Sequence, residues 1–180
     1  PDLTPTQAEQ LFEADRVHQL KAMQDALRGF LGQADGDALY QRLQGTREML
    51  GIYSLLYNAR TLLGKALATA LKLENRAEAW YEIRYGWKED PRFNNGWAKR
   101  HDMEAAYFGL YDDPSNVRLD EAKDAYRMLQ LHRNRINHYE DAYGGQAGNA
   151  NVDYKLAGTP NEVLSLINSL IRTESMYSCI

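Results

Sequence analysis

Glu82 is the residue in this chain best placed to hold a proton. Trp80, Tyr81, Tyr85 and Trp87 surround it in sequence, and burial among rings disfavours the charged form of a carboxyl. A carboxyl kept protonated near neutrality can act as a general acid. The other reading is an ion-pair partner for Arg84 or Arg100, and both stand at this point. Tyr57 and Asn58 form a second candidate: a ring face that packs on C–H groups, next to an amide that both donates and accepts. Tyr57-Asn58-Ala59-Arg60 closes an apolar run, where core gives way to solvent.

Other clusters carry less. His132, Arg133, Arg135 and His138 make a basic patch, but a six-residue gap does not put two histidines on one helix face, so zinc is not indicated. Asp112-Asp113 and Asp120-Glu121 read as turn and first-turn acids, and the EF-hand pattern is absent. No glycine-rich phosphate loop or Ser-His-Asp arrangement stands out, and no cofactor is implied.

The elements that must position these groups read as helices throughout. Arg47–Asn58, REMLGIYSLLYN, has no polar face, so it is expected to be a helix surrounded by protein at the centre of the domain. Thr46 is its expected N-cap. The first helix starts at Thr4-Pro5-Thr6-Gln7, a capping box with proline at the first position. It carries apolar residues to Leu31, with a weak patch at 15–19 that reads as a kink or exposed turn. A break at 32–36 and a short helix over 37–44 follow. The spacing predicts further helices over 61–73, over 76–86 capped by Asn75, and from 95 to 111 with Met103, Ala106, Tyr107 and Leu110 inward. The longest helix is predicted over 119–143, then a flexible link at 146–158 and a last helix from Thr159-Pro160. The class is all-α.

The 180 residues suit one large domain or a domain with an appendage. A net charge of −4 gives no case for nucleic acid. No run is long and apolar enough to span a bilayer. The single cysteine, Cys179, excludes an internal disulfide framework. The chain opens on Pro1 without a methionine, as a processed product or a piece of something longer would.

Residues 1–111 resemble the C-terminal lobe of the T-even phage lysozyme family. The resemblance rests on the opening LTPTQAEQLFEAD with Glu9, Leu11, Phe12 and Asp15, on MLGIYSLLYNA, on NRAEAWYEI from Asn75, and on Trp97-Ala98-Lys99-Arg100. It implies a lysozyme-like helical lobe around the helix 47–58, with 112–180 as a helical extension packed on it. It also implies a muramidase, a glycosidase that cleaves the glycan strands of peptidoglycan in the bacterial periplasm or cell wall. Tyr57, Asn58, Glu82, Trp97 and Arg100 then fall at glycan-contacting positions or beside the junction with the second lobe. The family tends to carry an amide where Glu82 stands and an arginine where Trp97 stands. Its catalytic glutamate, aspartate and threonine belong to an N-terminal lobe, expected here upstream or on another chain. Glycoside hydrolysis normally takes two carboxyls; no such pair is expected in this chain, where Glu82 is the lone catalytic candidate. The alternative is a non-catalytic helical module that binds a glycan or a partner protein.

Overall fold

The computed structural model describes residues 4–58, 62–87, 95–143 and 160–177. The expected link at 146–158 and the end of the chain lie outside the described residues. Among the described residues the protein is all-helical, with α1 (Pro5–Leu31), α2 (Gln33–Leu43), α3 (Arg47–Asn58), α4 (Lys65–Lys72), α5 (Arg76–Tyr85), α6 (Asn95–Phe108), α7 (Leu119–Leu131), α8 (Arg133–Tyr143) and α9 (Pro160–Tyr177).

The capping chemistry forms as the sequence predicts. Gln7 N donates to Thr4 Oγ1 at 3.3 Å and Thr4 N to Gln7 Oε1 at 2.9 Å. Met49 N donates to Thr46 Oγ1, and Glu78 N to Asn75 Oδ1. Each cap satisfies a backbone donor that the first helical turn leaves open.

Four expectations are corrected. First, α1 runs through 15–19 without a break, and the chain turns at Gly32, whose φ of 87° suits glycine. Gly36, expected in a break, lies inside α2. Its lack of a side chain is a packing feature, since a Cβ there would sit 2.6 Å from Arg28 N on α1. Second, α3 is not surrounded. Ile52, Leu55 and Leu56 are buried, but Leu50 is 62% exposed and Tyr57 54% exposed. It packs mainly on α6 and α1. The enclosed helix is α5, where Ala77, Ala79, Trp80, Tyr81, Ile83, Arg84 and Tyr85 are all buried, with α4, α6, α7 and α8 around it.

Third, the inward stripe of α6 is rotated. Met103 and Tyr107 are exposed, whereas Ala98, His101, Glu104, Ala105 and Phe108 are buried. The buried face holds a histidine and a glutamate that meet each other, so hydrophobicity alone misreads it. Fourth, the long helix divides at His132, which ends α7 with φ −101° and ψ 13°. The His132 ring stacks on Tyr81 of α5, with centroids 3.6 Å apart. α7 lies on α5, and α8 then turns Tyr139 and Glu140 towards Tyr85 and Arg84. α9 packs on α7 through Val163 and Ile167. No helix among the described residues is long and apolar enough to cross a membrane.

Two leucines of α3 separate these environments. Leu56→Ala should cost about 2–5 kcal/mol of unfolding free energy, whereas Leu50→Ala should stay within about 0.5 kcal/mol. Urea denaturation of both variants checks this, and equal losses would contradict the one-sided burial of α3.

Candidate functional site

α3 and α6 run antiparallel. Arg47, at the start of α3, donates from Nε to Tyr107 O and from a terminal nitrogen to Ala106 O, both at 2.9 Å. Gly51 lets the two backbones close up, since a Cβ there would lie 2.9 Å from Glu104 O. Ser54, one turn on, donates to Glu104 Oε1 at 3.4 Å. This register carries the end of α3, with Tyr57, towards the start of α6, with Trp97 and Arg100. Three residues singled out in the sequence therefore share one end of the molecule. Asn58 closes α3 on the backbone, and its side chain lies outside the described part.

Tyr57 stands exposed with its ring tilted over Tyr53 at 6.4 Å. Trp97 is half-buried and packs on the core, its ring 5.8 Å from that of His101. Arg100 keeps 47% of its side chain exposed, and its Nε donates to Glu104 Oε1 at 3.3 Å. Glu104 itself is only 1% exposed. Its other oxygen faces His101 Nδ1 at 3.1 Å, an electrostatic contact without the alignment of a hydrogen bond. The buried His101 ring is stacked beneath Trp87 at 5.5 Å. Sequence reading missed Ser54, His101 and Glu104. The visible signal was the spacing Ala98, His101, Glu104, Ala105, Phe108, a helical stripe with two polar members.

Glu82 lies elsewhere. It sits in the last turn of α5, half-buried, with its carboxyl folded against Gly86. Neither expected ion pair forms. Arg84 pairs with Asp102 of α6 and Glu140 of α8, and Arg100 with Glu104. The reason is rotation: two residues along a helix turn the side chain by about 200°, so Glu82 points away from the face that Arg84 presents to α6. Its neighbours are Glu78 and His132, and Glu78 Oε1 lies 2.8 Å from His132 Nε2. Burial pushes the Glu82 carboxyl above its ordinary range; the charge of Glu78 adds to this and His132 opposes it.

A cleft of about 260 Å³ between α2, α4, α5 and the end of α6 holds Arg42, Arg76 and Arg118. Its charges are matched internally. Arg76 meets Glu48, Asp112 and the carbonyls of Phe108 and Gly109, while Arg42 meets Glu74 and Leu71 O. It ties helix ends together. Among the described residues no three His, Cys, Asp or Glu side chains cluster as metal ligands would. No family model, curated protein or solved structure matches the chain.

The Glu82 environment sets a pH dependence. A carboxyl whose folded pKa is raised stabilises the fold in its protonated form. That contribution is complete below the unfolded value and is lost as pH rises through the folded value. Glu82→Gln should therefore gain stability relative to the parent as pH rises out of the ordinary carboxylate range and through the raised folded value. Urea midpoints across that range test it, and a constant difference would rule out a raised pKa.

Proposed function

We propose that this chain is the helical lobe of a lysozyme-like muramidase and forms one wall of a peptidoglycan glycan cleft. The observation that carries the reading is the antiparallel register of α3 and α6, from Arg47 against Tyr107 to Ser54 against Glu104, which sets the exposed Tyr57 at the end of α3 on the side where α6 begins with Trp97 and Arg100. A tyrosine ring face suits the C–H faces of a pyranose, and a guanidinium supplies several donors for sugar oxygens. The sequence resemblance assigns these same positions to the cleft.

The principal catalytic acid then lies outside this chain, in a lobe encoded upstream or on another chain. Inverting and retaining glycosidases alike normally use two carboxyls across the bond. Among the described residues of this end, Glu104 is buried and engaged by Arg100 and Ser54, and Glu82 faces another side. An apolar groove of about 550 Å³ between α1, α2 and α3, lined by Phe12, Leu20, Tyr40, Met49, Leu50 and Tyr53, stands open. A second lobe seated there would cover it. The site of action would be the bacterial periplasm or cell wall.

Groove contacts made equally in ground and transition state do not speed bond cleavage. The isolated chain should therefore leave a peptidoglycan suspension turbid. Supplying the second lobe should restore clearing, and Tyr57→Ala should then slow it by up to about tenfold, the effect of ~1.4 kcal/mol of lost contact. Robust clearing by the chain alone, abolished in Glu82→Gln, would make Glu82 the acid and overturn the assignment. The single buried carboxyl at this end favours one other reading, a non-catalytic glycan-binding module. Glycan binding with no clearing in the presence of the second lobe would select it.

A further inference from the structure

The first half of α1 stands apart from the rest of the molecule. Every residue from Thr4 to Ala14 is exposed, and cover begins only at Asp15. A single helix of this length with nothing beside it is marginal in water. It also carries two large apolar side chains, Leu11 at 61% and Phe12 at 59% exposure. Phe12 lines the open groove of about 550 Å³ together with Leu20, Tyr40, Met49, Leu50 and Tyr53, and Arg16 is the one charged residue in that lining. Exposed apolar surface in one stretch of this kind marks an interaction site.

The charges of α1 favour one occupant. Glu9 and Arg16 are seven residues apart, about two helical turns, so both lie along one edge of the helix with Phe12 between them. This pattern is self-complementary about Phe12. When a second α1 crosses antiparallel at that level, Glu9 of each copy lies against Arg16 of the other, whereas a parallel pair would set Glu9 against Glu9. We propose that the groove between α1, α2 and α3 receives the first half of α1 from a second copy of this chain, in an antiparallel pair with its two-fold axis near Phe12. The apolar side chains of each arm cover the groove of the other copy. Arg16 already meets Glu13 of its own helix, but both are exposed, and a pair of that kind contributes too little to hold Arg16 from a second carboxylate. The inference does not depend on the glycan reading. The groove is the one a second lobe would cover, so pairing of this chain and assembly with that lobe exclude one another, and the pairing regulates the assembly.

Sedimentation equilibrium of the full chain at low salt, from about 10 to about 500 μM, reads the pairing. The parent should pass from monomer to dimer over this range, as a small interface implies, and added salt should weaken the dimer. Phe12→Asp, at an exposed position, should keep the helical circular dichroism and stay monomeric. Glu9→Lys alone and Arg16→Glu alone should each raise the dissociation constant about tenfold or more, because each sets like charges together at both ends of the pair. An equimolar mixture of these two single variants should pair again, since every contact then joins opposite charges, and so should the double variant Glu9→Lys with Arg16→Glu. A parent that stays monomeric to about 500 μM would overturn the inference and leave the groove to a second lobe. A dimer that survives Phe12→Asp would overturn it by placing the interface elsewhere. Single variants that do not pair again when mixed would overturn the antiparallel register, and the second copy as occupant with it.

Discussion

A guanidinium with 1% of its surface exposed must be matched by charge, because an unpaired buried cation costs several kcal/mol. Arg84 meets that constraint by drawing in three groups from different helices. Asp102 comes from α6 and Glu140 from α8, while the Tyr85 hydroxyl accepts from Arg84 Nε at 3.0 Å and donates to Glu140 Oε1 at 2.7 Å. Burial raises the Tyr85 phenol well above its usual range, and the neighbouring carboxylate of Glu140 adds to this. The phenol is therefore kept as a donor. α5, the most enclosed helix, owes its position to this pairing as much as to its rings.

The same constraint shapes the second half of the chain. A straight helix over 119–143 would give α7 and α8 one common axis. At His132 the helical dihedrals lapse, with φ −101° and ψ 13°, and in α8 beyond it Tyr139 meets Tyr85 edge-on at 5.0 Å and Glu140 reaches Arg84. The contacts at the bend belong to α5 as well: Glu78 against His132 Nε2, and Tyr81 stacked on its ring. Ordering this segment is thus coupled to the first part of the fold through polar contacts of defined geometry. Apolar burial gives adhesion without direction; these contacts are directional.

The helical class, the caps and the approximate element ends were legible because they depend on local chemistry. Thr4 with Gln7 and Asn75 with Glu78 need only the residues between them. What escaped the sequence depends on partners distant along the chain. Leu50 and Ile52 are equally apolar, and only the position of α6 decides which is buried. Gly36 and Gly51 look like helix breakers until another backbone is seen against them. The stripe of α6 was misread because His101 and Glu104 are polar types that turn inward on contacts distant along the chain, Glu104 on the Ser54 hydroxyl and His101 on the Trp87 ring. The candidate site divides along the same line. Tyr57, Trp97 and Arg100 were named from the sequence, whereas the group that holds Arg100 was invisible to it, since Glu104 stands fifty residues from Ser54.

That buried support bears on what kind of recognition this end can perform. An exposed arginine on a free stem loses much rotamer freedom on engaging a ligand, a cost comparable to the gain from an exposed ion pair. Arg100 hydrogen-bonds through Nε to Glu104 of its own helix, and Ser54 of α3 hydrogen-bonds to the same Glu104 oxygen. The close approach at Gly51 keeps α3 and α6 from sliding apart, and Arg47 ties the far end of the pair to the carbonyls of Ala106 and Tyr107. Rigid elements hold side chains to the tolerance that directional contacts require. Side chains held in this way lose little further freedom on making a directional contact, so the rigidity of the α3–α6 pair, rather than the number of its contacts, decides how sharply this end can orient a bound group.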